Sequence, residues 1–172
     1  MVKCVVEIPK GSRNKYEYDH EYGGIKLDRF LSSSVVYPTD YGYIPDTLSE
    51  DGDELDALIC VSEPTLPGCI VLCDPIGLFD MEDEHGVDTK VLCVPCGDPG
   101  WNPLKELDDL PRPLRDEITH FFQIYKDLEP GKETEVKGWR DRDAALREIE
   151  TARERWLSEA GGGASGSDRR SG

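Results

Sequence analysis

The sequence predicts a mainly β domain of α+β type, a small barrel or sandwich of short strands with two helices laid on it. Three observations carry this expectation. The first two thirds consist of apolar runs of strand length, cut repeatedly by proline and glycine. Near Pro113 the apolar spacing changes to that of a helix. The chain has 172 residues, 37 % of them hydrophobic and spread along its length, which suffices for one buried core.

In chain order, residues 3–8 are a short β-branched run. Tyr16-Glu17-Tyr18-Asp19 alternates, and residues 19–24 read as a turn into a strand at 25–28. Val35-Val36-Tyr37 is another short extended segment. Residues 55–61, 69–75, 76–81 and 90–94 are apolar runs, separated by Pro64, Pro67-Gly68, Pro75, Gly77, Pro95 and Gly97. Residues 113–125 carry Leu114, Ile118, Phe121, Phe122 and Tyr125 at helical spacing, and Glu129-Pro130-Gly131 ends them. Residues 136–139 make a short or edge strand. Asp141 caps a second helix at 142–159, with Ala145, Ile149, Ala152, Trp156 and Leu157 as its apolar positions. Residues 1–160 are therefore one domain, and 161–172, rich in Gly and Ser with the pair Arg169-Arg170, are a flexible tail.

The bulk chemistry excludes several functions. No apolar run reaches the roughly 18 residues of a membrane helix, and the first residues lack the apolar core of a signal peptide. A cytoplasmic protein without membrane partners is expected. The six cysteines are then read as reduced thiols. Cys93-Val94-Pro95-Cys96 has zinc-ligand spacing, with Cys69 and Cys73 as conceivable partners. Against that, Cys60, Cys69, Cys73 and Cys93 sit among Val, Ile and Leu, as small buried hydrophobes do. Asp and Glu number 36 against 20 Lys and Arg, a formal charge of −16, so the basic face that nucleic acid needs is missing. A phosphate substrate would be repelled unless divalent cations supplied positive charge.

The densest chemical signal is Asp51-Gly52-Asp53-Glu54-Leu55-Asp56, in a turn that enters the strand at 55–61. Asp51 and Asp53 share parity on an extended chain. Asp56 enters a strand where a lone carboxylate would be costly to bury. Hard cations such as Mg²⁺ relieve such a cluster, since they take oxygen ligands; a solvated acidic turn is the plain alternative. An EF-hand fails on count, because Leu55, Asp56 and Ser62 occupy its fifth, sixth and twelfth positions. A second acidic group, Asp80, Glu82, Asp83, Glu84 and Asp88 with Lys90, lies between two strands and would decorate a hairpin tip. Lys15, Arg29 and Lys126, together with the phenols of Tyr37-Pro38-Thr39-Asp40-Tyr41-Gly42-Tyr43 and Tyr125, can hold phosphate oxygens.

Together these segments resemble the soluble family I inorganic pyrophosphatases, in their bacterial branch. The matching stretches are Val6-Glu7-Ile8-Pro9, Asn14-Lys15-Tyr16-Glu17, Leu27-Asp28-Arg29, Tyr37 to Ile44, Asp51-Gly52-Asp53 with Asp56, Met81-Glu82-Asp83-Glu84 with Asp88 and Lys90, and His120-Phe121-Phe122 with Tyr125-Lys126-Asp127-Leu128. They cover roughly residues 2–157.

The resemblance implies a five-stranded OB-like β-barrel and hydrolysis of inorganic diphosphate to two phosphates. A metal-activated water or hydroxide would attack in line. It implies three to four Mg²⁺ ions per active site, with Asp51, Asp56 and Asp88 on the first, Asp56 shared to the second, Asp83 and Asp88 on one arriving with substrate, and Glu17 on a further one. Lys15, Arg29, Lys90, Tyr125 and Lys126 would bind phosphate, Asp53 would be the general base, and Tyr41 would stand near the water. Glu7, Tyr37, His20 and His85 are accessory candidates; the two histidines either tune the pH profile from the rim or are solvated loop residues. A homohexamer is the implied assembly. The chain departs from the pattern at Glu54, which adds a carboxylate inside the motif, and at Ile124, where some members carry a histidine used between subunits. Two other functions are compatible in part with these residues: an inactive metal-binding relative, and a phosphohydrolase for a larger ester, which would want an aromatic slot for a base or an added domain.

Overall fold

The computed structural model describes residues 1–162. Its strands are β1 (Val2–Ile8), β2 (Asn14–Asp19), β3 (Gly24–Phe30), β4 (Asp40–Ile44), β5 (Leu55–Ile59), β6 (Ile70–Asp83), β7 (Gly86–Pro95) and β8 (Thr134–Arg140). The helices are α1 (Arg112–Ile124) and α2 (Arg142–Gly162). Strands β1, β4, β5, β7 and β6 pair in that order, and β6 pairs back onto β1, closing a ring of five. This is the barrel with two helices that the resemblance implied. Strand β8 extends the sheet outside β6, and β2 and β3 form a separate hairpin. Closure removes free edges that would otherwise invite pairing with another chain.

Two cores result. One takes side chains from all five ring strands, including Cys4, Val6, Ala57, Cys73, Leu78 and Cys93, and is covered by Ala145, Ile149 and Ala152 of α2. The other lies between α1 and the opposite face of β5, β7 and β6, where Leu58, Leu92 and Phe79 meet Ile118, Phe121 and Phe122. Asp141 caps α2 as expected, accepting from the Ala144 N–H at 2.9 Å.

The structure corrects the sequence reading in four places. Residues 69–75 and 76–81 are one strand, not two. The register slips between Pro75 and Gly77, so a bulge accommodates the proline, which cannot donate to the ladder. The extra residue also rephases the strand: Cys73 and Leu78, five positions apart, both face the barrel core. Val35-Val36-Tyr37 is not a strand; Tyr37 N–H donates to Ser12 and its carbonyl accepts from Gly11, which ties it to the β1–β2 connection. Part of the Tyr- and Gly-rich motif is instead a ring strand, β4. Finally, Trp156 and Leu157 are 38 % and 61 % exposed, because α2 continues past the barrel after Ala152. The first two residues of the expected tail continue α2, and the rest of it lies outside the described residues.

Gly42 explains how a glycine sits inside a ring strand. It pairs with Val6 across β1, and a Cβ there would overlap the Val5 carbonyl and come within 2.9 Å of Val6 Cα. Backbone, not a movable side chain, blocks the space. Gly42→Ala is expected to destabilise the fold by about 3 kcal/mol or more, measured by urea denaturation; a variant as stable as its parent would show that β1 can retreat from β4.

Candidate active site

The site grows from the parallel pairing of β5 with β7, which sets Asp56 directly beside Lys90. Strand alternation puts both on the face that α1 covers, in line with Leu58 and Leu92. Strand β4 runs along the other side of β5 and delivers Tyr41. Lys90 is buried, and its ammonium donates to Asp56 and Asp88 at 2.7 Å each and to the Tyr41 hydroxyl at 3.0 Å. The Tyr41 hydroxyl in turn donates to Asp56. The Tyr41 and Phe122 rings flank the ammonium at 5.2 and 5.3 Å. Burial alone would discharge Lys90, but Asp56 and Asp88 hold it firmly protonated. Burial together with the Asp56 charge keeps Tyr41 a neutral phenol.

Around this centre lies a cavity of about 310 Å³. Every residue to which the resemblance gave a role lines it: Asp53 and Tyr41; Lys15, Arg29, Lys90, Tyr125 and Lys126; Glu17, Asp51, Asp56, Asp83 and Asp88; and Glu7, Tyr37, His20 and His85. Asp80 and Glu82 of the second acidic group do not; they line a separate pocket with Lys137 and Arg140. Three separate parts of the fold supply the walls. The β2–β3 hairpin brings Lys15, Glu17 and Arg29, the turn at 51–53 brings its aspartates, and the tip of the β6–β7 hairpin brings Asp83 within 3.1 Å of Lys126, just past α1. Lys15 pairs with Asp28 at 3.1 Å, and Arg29 with the same carboxylate at 2.8 Å. His20 pairs with Glu54 at 3.0 Å, at the rim.

Carboxylates outnumber cations here, and their titration records it. Burial, then repulsion from Asp53 and Asp88, raises Asp51; burial and Asp56 raise Asp88 despite its bond to Lys90. Glu7, half-buried in the wall, is pushed up to about 7 by desolvation, although its side chain accepts the Tyr18 N–H at 2.7 Å. Asp83 goes the other way: bonds from the His85 N–H and Lys126 outweigh its burial. Among the described residues no three His, Cys, Asp or Glu side chains surround one point. Asp56 and Asp88 close instead on the Lys90 ammonium. The donor set is all hard carboxylate oxygen with charge in excess, which fits divalent ions such as Mg²⁺ and does not fit thiophilic metals.

Sequence reasoning missed two residues of this neighbourhood. Lys132 lines the cavity, and Glu129 binds Lys132 and Arg29. From the sequence Glu129 is a helix stop, in Glu129-Pro130-Gly131, and the last residue of the motif that begins at His120, with no role in the site; no spacing rule pairs a residue with one a hundred positions away.

Residues 4–157 match the family described as Inorganic pyrophosphatase. An inorganic pyrophosphatase of Methanosarcina mazei is 52 % identical over 159 residues, covering 92 % of this chain and 94 % of the relative. One from Streptomyces coelicolor is 53 % identical over 156 residues, covering 91 % and 96 %. The crystal structure of inorganic pyrophosphatase from Thermus thermophilus superposes with a TM-score of 0.88 at 48 % identity, covering 90 % of each chain.

Replacing Lys90 by Met would leave the half-buried Asp56 and Asp88 side by side without their shared cation. The Lys90→Met protein is expected to lose about 1–3 kcal/mol, read from urea unfolding in EDTA. Parental stability under those conditions would mean the ammonium is not what holds the two strands' carboxylates together.

Proposed function

Because this chain belongs to the inorganic pyrophosphatase family, we infer that it hydrolyses inorganic diphosphate to two phosphates, with a divalent metal ion as cofactor. One observation supports the reading most: a single cavity in which Lys15, Arg29, Lys90 and Lys126 face an excess of carboxylates. Cations alone would suit any anion. Cations interleaved with hard oxygen donors suit an anion that comes with divalent metal.

The roles follow from chemistry. Lys15, Arg29, Lys90, Tyr125 and Lys126 bind the phosphate oxygens, the guanidinium by paired N–H bonds and the phenol by donation. Asp51, Asp56 and Asp88, with Asp83 and Glu17, hold the divalent ions, which we take to be three to four Mg²⁺. When bound, such ions add Lewis-acid charge at the phosphoryl oxygens and lower the pKa of a nearby water. Asp53 receives the proton that the water gives up as its oxygen attacks one phosphorus. The bond from that phosphorus to the bridging oxygen breaks opposite the new one, and the lysines and arginine carry the charge that leaves with the second phosphate. Tyr41 stands next to this step and fixes Asp56 through its hydroxyl. Glu7, Tyr37, His20 and His85 serve as accessory groups around the reacting anion.

The relatives at about half identity are named as inorganic pyrophosphatases, which supports an active enzyme over an inactive relative. The walls are charged or phenolic, with Phe122 as the apolar exception, so they offer no slot for a nucleotide base. We further propose a cytoplasmic homohexamer. All six cysteines are free thiols, as a reducing compartment requires, and solution mass at physiological salt tests the assembly.

Phosphate release from diphosphate with Mg²⁺ is expected to be fast, to vanish in EDTA, and to be weak on ATP. Asp53→Asn should lower kcat by roughly 10²–10⁴-fold with the melting curve unchanged. Full turnover in that variant would falsify the role of Asp53, and release unaffected by EDTA would remove the metal.

A further inference from the structure

Arg29 reaches the cavity from the β2–β3 hairpin, which pairs only with itself. A long cation on such an element needs an anchor from elsewhere to hold one position. Its nearest carboxylate, Asp28, is its own chain neighbour and is shared with Lys15. Glu129 provides the other contact. It lies in the turn after α1, and its Oε1 accepts from Arg29 Nε at 3.0 Å while its Oε2 accepts from Lys132 Nζ at 2.9 Å. The Glu129 side chain is only 8 % exposed. Burial would favour its neutral form, but the bonds from Lys132 and Arg29 keep it ionised and below the usual carboxylate range. Both partners line the cavity, whereas Glu129 itself does not. Because Glu129 engages Nε, and Asp28 engages Nη1, Nη2 makes no hydrogen bond with the described residues.

We propose that Glu129 is a positioning residue for anion capture: its two oxygens fix Arg29 and Lys132 at the cavity wall, so that Arg29 presents its free Nη2 to a phosphate group. The proposal rests on the reading of this cavity as the diphosphate site. Glu129 never touches the anion. It works by pre-ordering the cations that do, which cuts the entropy lost when the anion binds. The effect belongs to binding of ground and transition states alike, so it appears in KM and leaves kcat nearly untouched.

The test compares Glu129→Gln with its parent in Mg²⁺ buffer. Steady-state hydrolysis gives kcat and KM, and calorimetry gives the Kd of methylenediphosphonate, a diphosphate analogue that cannot be cleaved at its bridge. KM and Kd are expected to rise about tenfold with kcat within about threefold. In an Arg29→Ala background the same change should add less than about twofold, since Glu129 acts largely through Arg29. Unchanged KM and Kd, equal losses in both backgrounds, or a fall in kcat alone would overturn the proposal. If Glu129→Gln does not fold, Glu129→Asp is read instead. It keeps the charge but is one methylene too short to hold both cations, and a parental Kd for that variant would overturn the proposal as well. A parent that binds the analogue yet releases no phosphate ends the diphosphatase reading while the Kd comparison still decides Glu129; a parent that binds neither overturns both.

Discussion

The buried ammonium of Lys90 is the constraint on which the site depends. An amine at that depth is costly to charge, and it stays charged only because Asp56 and Asp88 each lie 2.7 Å away. The arrangement is a consequence of register. Parallel pairing of β5 with β7 puts Asp56 level with Lys90, and Asp88 follows two residues along on the same face. A one-residue slip of β5 would turn Asp56 and Leu58 together toward the barrel core and put Ala57 and Ile59 under α1 in their stead. Hydrophobic packing under α1 therefore fixes the register, and the register builds the charge cluster. The Phe122 ring belongs to both: it packs in that core and flanks the ammonium.

Barrel closure decides which face can carry chemistry. Inside the ring the side chains of five strands fill the space, and α2 covers one end. The α1-covered face is left to hold polar groups at its margin. Two local devices let the ring close tightly. Gly42 lets β1 press against the backbone of β4, and the bulge at Pro75 rephases the long strand β6 so that Leu78 after it faces the barrel core as Cys73 does before it, while Phe79 and Met81 feed the α1 core. Neither touches the cavity, yet both set where β4 and β6 deliver Tyr41 and Asp83.

Much of this was legible in the sequence because it is local. The acidic turn at 51–56, the acids at the tip of the β6–β7 hairpin and the Tyr125-Lys126 pair past the end of α1 are short segments whose residue types speak for themselves. Their convergence on one cavity came from the resemblance, since no spacing rule brings Lys15 to Lys126. What was not legible has physical causes too. Pro75 and Gly77 read as breaks because in most strands they are; only the partner strands show that a bulge absorbs them. Strand β4 was hidden by the prolines and glycines around it. Trp156 and Leu157 keep the helical spacing of buried residues, but the barrel ends before they do. The role of Glu129 was not legible for a further reason: its work is an ion pair across a hundred positions, and such a carboxylate looks like any other Glu until its partners are placed.

The pattern of ion pairs bears on how an anion enters. Each cation of the cavity already has a carboxylate: Lys15 and Arg29 share Asp28, Lys90 has Asp56 and Asp88, Lys126 has Asp83 and Glu84, and Lys132 has Glu129. A bare diphosphate would have to compete with these acids for every one of them. Within a chain of net charge −16 it would also approach against the overall field. Adding divalent charge to the acids changes both terms at once, since it turns competitors into bridges and releases the cations toward the phosphate oxygens. Arg29 is the partial exception: Glu129 takes Nε and Asp28 takes Nη1, which leaves Nη2 without a hydrogen bond to the described residues. The metal dependence of the enzyme is then a property of the whole wall, and Arg29 Nη2 is the first donor an arriving anion can engage without displacing a carboxylate.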